Sequence, residues 1–195
     1  MKKTTIILII VAALAAVVFW GVGIYNALVT AEENVETSWA QVENQYQRRS
    51  DLVPNLVVTV KGYASHEATV LENVVNARSK ATQMTIDPSK ATPEQLQAYQ
   101  AAQGELSQAL GRLLALSESY PDLKASQNFL ELQSQLEGTE NRIAVARNAF
   151  NEAAKEFNVR IRRFPSNIIA GMCGFEKKAY FEAEAGANKA PEVQF

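Results

Sequence analysis

Residues 6–24 read IILIIVAALAAVVFWGVGI, nineteen consecutive positions with no charge and no strongly polar side chain. At a helical rise of about 1.5 Å per residue the run spans about 28 Å, which matches the hydrocarbon core of a bilayer. Lys2 and Lys3 precede it, as they would in a secretory signal. Signal cores, however, are only about 7–15 residues long. Here the alanine-rich part lies in the middle of the run, and Val17, Val18, Phe19 and Trp20 carry the apolar character beyond it. The stretch is therefore read as a retained anchor over residues 6–25, with residues 1–5 as a short N-terminal flank.

Charge around the anchor sets the expected orientation. Lys2 and Lys3 lie on one side, whereas on the other Glu32, Glu33 and Glu36 come first and the first basic residue is Arg48. Arg48 lies beyond the window of about 15–20 residues in which basic residues decide topology, so the N-terminus is expected in the cytoplasm and the rest of the chain outside it. Trp20 and Tyr25 are the interfacial aromatics expected where the helix leaves the bilayer. For a bacterium this gives a single-pass protein of the cytoplasmic (inner) membrane with an extracytoplasmic domain.

Beyond the anchor remain about 170 residues, one domain of ordinary size. With 19 basic and 21 acidic residues in the chain there is no electrostatic footprint for nucleic acid. The single cysteine, Cys173, makes neither an internal disulfide nor a cysteine cluster for zinc, and its neighbours Met172 and Gly174 suit a small buried hydrophobe. Packing alone must hold the domain together.

Apolar periodicity indicates helix almost throughout. Leu28, Glu32, Val35, Trp39, Val42 and Tyr46 recur at alternating spacings of 4 and 3, a seam with one acidic exception. A first helix is predicted from about Tyr25 to Arg49, followed by a second from about Leu52 to Met84, with Asp51 as N-cap and Pro54 in the first turn. One continuous helix of nearly 60 residues, kinked near Pro54, is the alternative. Asp87-Pro88 marks a break, after which Thr92, Pro93 and Gln95 combine a capping box with proline at the first helical position. The third helix then presents Leu96, Tyr99, Leu106, Leu110 and Leu113, and ends at Tyr120-Pro121.

The fourth helix is the most regular, with Phe129, Leu136, Ile143, Phe150, Phe157 and Phe164 spaced seven residues apart. Four such segments joined by short connections bury their stripes most simply as a bundle. The predicted fold is all-α: a single N-terminal transmembrane helix, an elongated antiparallel four-helix bundle over residues 26–164, and an irregular C-terminal tail over 165–195. If the fourth helix returns to the membrane, Arg162, Arg163, Ile168 and Ile169, together with Met172 and Phe175, come near the headgroups. Arg160, Arg162 and Arg163 with Lys177 and Lys178 form a basic cluster suited either to a solvated helix end or to anionic lipid.

The sequence carries no readable catalytic constellation. His66-Glu67 begins like a helical zinc motif, but Val70 stands where the second ligand belongs and His66 is the only histidine. A di-iron bundle would need two Glu-x-x-His pairs. No metal and no cofactor is expected. Glu137 and Glu140 share a helix face, yet Arg142 and Arg147 are placed to match them. A partner or ligand face on the fourth helix would be the polar run Glu137, Glu140, Asn141, Arg142, Arg147, Asn148 and Asn151.

Three stretches then stand out: YNALVTAEENVETSWAQVENQYQRRSDLVPNLVVTVKGYASHE (25–67), SYPDLKASQNFLELQSQLEGTENRIAVARNAFNEAAKEFN (119–158) and FPSNIIAGMCGF (164–175). They closely resemble the LemA family of bacterial membrane proteins, across essentially the whole chain and including the ending APEVQF. The resemblance implies a single-pass N-terminal anchor and a helical-bundle domain. It supplies no catalytic residues to carry over, and related proteins of magnetosome-forming bacteria point to membrane-organising roles. The function expected is a non-enzymatic envelope scaffold or adaptor. Its partners would be the lipid bilayer and either another envelope protein or a second copy, with no nucleic acid. The alternative is an envelope sensor or ligand-binding domain using the polar face of the fourth helix.

Overall fold

A computed structural model describes residues 3–182, and every described element is helical, with no strand among the described residues. The endings expected at residues 1–2 and 183–195 lie outside the described part. Helix α1 runs unbroken from Lys3 to Tyr63, α2 from Ala68 to Gln83, α3 from Pro93 to Ala115, α4 from Pro121 to Lys124, α5 from Gln127 to Arg162 and α6 from Ser166 to Cys173.

The expected boundary at Asp51–Pro54 is not there. The seam of α1 continues past Tyr46 through Arg49, Val53, Leu56 and Val60, all buried, so the buried stripe runs on through the proline without a change of phase. Pro54 itself is exposed on the outer side. A proline inside a helix removes one amide donor, the one that would reach the carbonyl four residues back. That carbonyl belongs to Ser50, and Arg78 on α2 supplies the missing donor from Nε at 2.9 Å. The chain instead reverses after Tyr63, through the 64–67 turn that carries the exposed His66.

The predicted start of α3 is observed. Thr92 accepts from the Gln95 amide and the Gln95 side chain accepts from the Thr92 amide, with Pro93 at the first position. In the preceding segment the Asp87 carboxylate accepts from both the amide and the hydroxyl of Ser89, the hydroxyl contributing most to a pKa below the ordinary value. Along α5 the heptad residues Phe129, Leu136, Ile143, Phe150 and Phe157 are buried. Phe164, expected to extend them, is 82% exposed, because the chain leaves helical geometry at Arg163 (φ −74°, ψ 140°).

The tail is less irregular than expected. Residues 166–173 form α6, closed by Gly174 at φ +76°, a left-handed conformation that favours glycine. Cys173 is exposed rather than buried, since α6 turns only Ala170 fully inward. After Gly174 the chain continues without helix to residue 182.

Helices α1 and α5 form the long antiparallel pair, fixed in register by Trp39 against Phe150 and by Arg49 against Glu140. Two apolar cores lie along it. In the half distant from the apolar run, Val53, Leu56 and Val60 pack with Leu71 and Val74 of α2, Leu106, Leu110 and Leu113 of α3, and Phe129 and Leu136 of α5. In the near half, Ala31, Val35, Trp39, Val42 and Tyr46 meet Ile143, Phe150 and Phe157, covered by Leu96 and Tyr99 from α3. Helix α2 ends at Gln83 and reaches no further. The remaining cover comes from Met84 and Ile86 in the α2–α3 connection and from Phe175, Ala179 and Phe181 of the tail. The tail therefore stands where a bundle of equal-length helices would place a helix.

Candidate functional site

Between the two cores lies a polar layer. Arg49 is only 1% exposed, and its guanidinium is held by four hydrogen bonds. Nη1 donates to Ser107 Oγ at 2.6 Å and to Glu140 Oε1 at 2.8 Å. Nη2 donates to the Gln103 carbonyl at 3.1 Å and to Gln103 Oε1 at 2.6 Å. Gln103 in turn donates to the Ala81 carbonyl at 3.2 Å, so the layer joins α1, α2, α3 and α5. Burying a guanidinium costs several kcal/mol unless a counter-charge and further acceptors compensate it. Glu140 supplies the charge while its own side chain stays 41% exposed, which leaves the carboxylate partly hydrated. Tyr46 lies beneath the guanidinium, 5.2 Å from ring to charge.

Tyr99 borders this layer, with Tyr46 at 5.6 Å and Trp39 at 5.5 Å between ring centres. Burial, reinforced by Tyr46 and Glu43, pushes its phenol pKa well above the ordinary value. At the far turn the Tyr120 hydroxyl donates to Glu67 at 2.9 Å, and that bond raises its pKa.

A second polar assembly holds the tail. Asn158 of α5 accepts from the Lys178 amide at 2.8 Å and donates to the Lys178 carbonyl at 2.9 Å. Asn151 does the same for Phe181, at 2.9 Å in each direction. Each side-chain amide thus pairs with both main-chain groups of one residue, as a neighbouring strand would. The Phe181 ring stacks on Trp39 at 5.7 Å and meets Phe150 edge-on at 5.4 Å, with the Arg147 guanidinium 4.9 Å from its centre. Arg147 and Gln100 both donate to the Glu182 carbonyl. Lys178 is buried, pairing with Glu32 and donating to the Ser89 carbonyl over the Phe157 ring. Glu32, the acidic exception in the first seam, is there to meet it.

The polar run read from α5 is thereby divided rather than gathered. Glu140 turns inward to Arg49, while Arg147 and Asn151 hold the tail. Glu137 accepts from Gln133, one turn away on the same helix. Asn141 and Arg142 line an open cleft of about 400 Å³ with Gln41, Asn44 and Gln45, and Asn148 is exposed.

Helix α6 lies beside the end of the apolar run. Ile169 comes within 3.8 Å of where a Gly21 side chain would start, and Tyr25 meets Phe175 at 5.8 Å. Trp20, Arg162, Arg163 and Ile168 are exposed at this end, with Phe164 and Met172, the latter 79% exposed. A cleft of about 690 Å³ opens between Ile24, Ala27 and Leu28 of α1 and Lys155, Arg160 and Arg163 near the α5 terminus. Arg160 is paired with Glu156. Among the described residues no group of three or more acidic, histidine or cysteine side chains is arranged to hold a metal.

Sequence reasoning missed Arg49, Gln103 and Ser107 as a unit, and Asn158, Lys178 and Phe181 as another. One signal was available for the first: carrying the count of 4 and 3 beyond Tyr46 lands on Arg49, a charge in an apolar seam. For the second, only the pairing of Asn151 and Asn158 seven residues apart on one face of a helix offered a hint.

The family model described as LemA family matches residues 38–195. Among curated proteins, the chain is 30% identical over 184 residues to the magnetosome protein MamQ of Magnetospirillum gryphiswaldense, covering 83% of this chain and 66% of that one. It is 28% identical to the magnetosome protein MamQ 1 of Paramagnetospirillum magneticum, covering 84% of this chain and again 66% of the relative. Protein LemA of Metamycoplasma hominis is 25% identical over 182 residues, 93% of this chain and 80% of that protein. The chain thus spans about two thirds of the length of the magnetosome proteins it matches.

Proposed function

The chain belongs to the LemA family, and on that footing we propose that it is a membrane-anchored, non-enzymatic scaffold or adaptor of the bacterial cell envelope. Residues 6–25 cross the inner membrane with the N-terminus in the cytoplasm, following the lysines before the run and the glutamates after it. Outside, α1, α2, α3 and α5 act as one elongated four-helix bundle standing on the membrane. Helix α6, with Phe164, Ile168 and Met172 exposed beside Arg162 and Arg163, lies along the headgroups as its foot.

The observation that carries the scaffold reading is the dispersal of the polar run on α5. A ligand site requires convergent polar groups in a concavity. Here Glu140, Arg147 and Asn151 are already engaged within the chain. Glu137 and Asn148 remain on the outer face, and Asn141 and Arg142 border an open cleft beside Gln41, Asn44 and Gln45, a surface on which another envelope protein can dock.

The test is the fourfold variant Glu137→Ala, Asn141→Ala, Arg142→Ala and Asn148→Ala. The helical circular dichroism should stay unchanged while proteins crosslinked to the chain in its own membranes are lost. Retained protein partners together with loss of a bound small molecule would favour the sensor reading instead.

A further inference from the structure

The tail between residues 175 and 182 is held as a bound peptide is held. Asn158 and Asn151 read its main chain at residues 178 and 181. Phe181 fills an aromatic pocket formed by Trp39 and Phe150, and the Lys178 ammonium enters a second pocket closed by Glu32 and the Ser89 carbonyl. These contacts run to α1, α5 and the α2–α3 connection, and Gln100 of α3 adds a hydrogen bond to the Glu182 carbonyl. Among the described residues the segment is joined to the rest of the fold at Gly174, whose left-handed backbone ends α6.

We propose that this channel on α1 and α5 is a peptide-docking groove, and that residues 175–182 of a second copy occupy it in exchange for the chain's own. The occupant's chemistry is set by the groove: an extended segment with a lysine followed three residues later by phenylalanine, which Lys178 and Phe181 provide. Exchange between copies reproduces every one of these contacts, so its cost lies mainly in re-aiming the backbone at Gly174 and bringing two copies together. Anchoring reduces the second cost. Copies fixed in one membrane share orientation and height, so the segment of one stands level with the groove of its neighbour, and confinement raises its effective concentration. The aromatic faces of Trp39 and Phe150 also disfavour an empty groove, which keeps one tail in each at any moment. This inference rests on the scaffold reading and names a second copy as one of its partners.

The test uses two differently tagged full-length chains co-expressed in one membrane, both in a Cys173→Ser background. One carries Gln100→Cys beside the groove and the other Glu182→Cys on the tail, at positions that touch in the structure. A short bis-maleimide applied to intact membranes should give a covalent dimer carrying both tags. Adding Lys178→Ala and Phe181→Ala to the tail-cysteine chain should reduce that band several-fold. A single chain carrying both cysteines serves as the control that groove and tail remain in register. An internal link in that control with no two-tag dimer in the mixture overturns the exchange, as does a dimer band indifferent to the Lys178 and Phe181 substitutions. Loss of the exchange leaves the separately crosslinked envelope partners, and with them the scaffold reading, untouched.

Discussion

Arg78 Nε lies 2.9 Å from the Ser50 carbonyl, the one acceptor that Pro54 deprives of its helical amide. It also reaches Ser50 Oγ at 3.1 Å, so one side chain from α2 repairs the backbone of α1 at the proline. Arg78→Ala should therefore destabilise the fold by about 1–3 kcal/mol, the cost of leaving a largely buried acceptor unmade. In a Pro54→Ala background, where the helix can supply its own amide, the same substitution should cost clearly less. Urea unfolding of the four chains of this cycle measures the coupling. Equal costs in both backgrounds would show that Arg78 does not act through the freed carbonyl.

Arg49 makes a larger prediction. Removing one partner of a buried ion pair costs about 3–5 kcal/mol, and Arg49→Ala also strips Gln103 and Ser107 of their donor. Arg49→Lys keeps the charge but lacks the planar fork that reaches both Ser107 and Gln103 while facing Glu140, so it should recover only part of the loss. Full recovery with lysine, read by thermal or urea unfolding, would reduce the layer to simple charge neutralisation.

The heptad phenylalanines separate by position. Phe150 is buried among Trp39 and Phe181, and Phe150→Ala should cost about 3–5 kcal/mol. Phe164→Ala, at an exposed site, should change the stability of the detergent-solubilised protein by no more than about 0.5 kcal/mol. If the two substitutions weighed equally, the seam would have to extend beyond Arg162.

Alkaline pH should weaken the near core through Tyr99. Its pKa in the folded chain is raised, so the folded state holds the phenol proton more tightly than the unfolded state does. The stabilisation is complete below the unfolded value of about 10 and declines as pH rises above it, toward the folded pKa. Tyr99→Phe should flatten this alkaline loss in a stability profile measured from pH 8 upward to about 11. An unchanged slope would assign the loss to other groups.

Periodicity revealed the helices because each buried stripe repeats within its own segment. The capping box at Thr92 and the run from Phe129 to Phe157 needed only local spacing to be legible. Asp51 and Pro54 misled because a capping residue followed by proline is the local pattern of a helix start, whereas the cost of Pro54 inside α1 is met by Arg78, far along the chain in α2. Similarly, Lys178 read as part of a solvated basic cluster because its partner Glu32 lies at the other end of the sequence. The polar run on α5 looked continuous in sequence. Only tertiary packing divides it between Arg49, the tail and solvent, and no spacing rule on one helix records that division.

The outer face of α5 is proposed to meet protein. A photo-crosslinking amino acid placed in turn at Glu137, Asn141 and Asn148 of the full-length chain, in living cells, tests it most directly. Discrete, ultraviolet-dependent adducts of defined mass are expected at these positions, and none when the probe replaces Pro54, exposed on α1. Absence of protein adducts at all three positions would contradict it, and a small molecule retained stoichiometrically by the purified chain would point to the sensor reading instead.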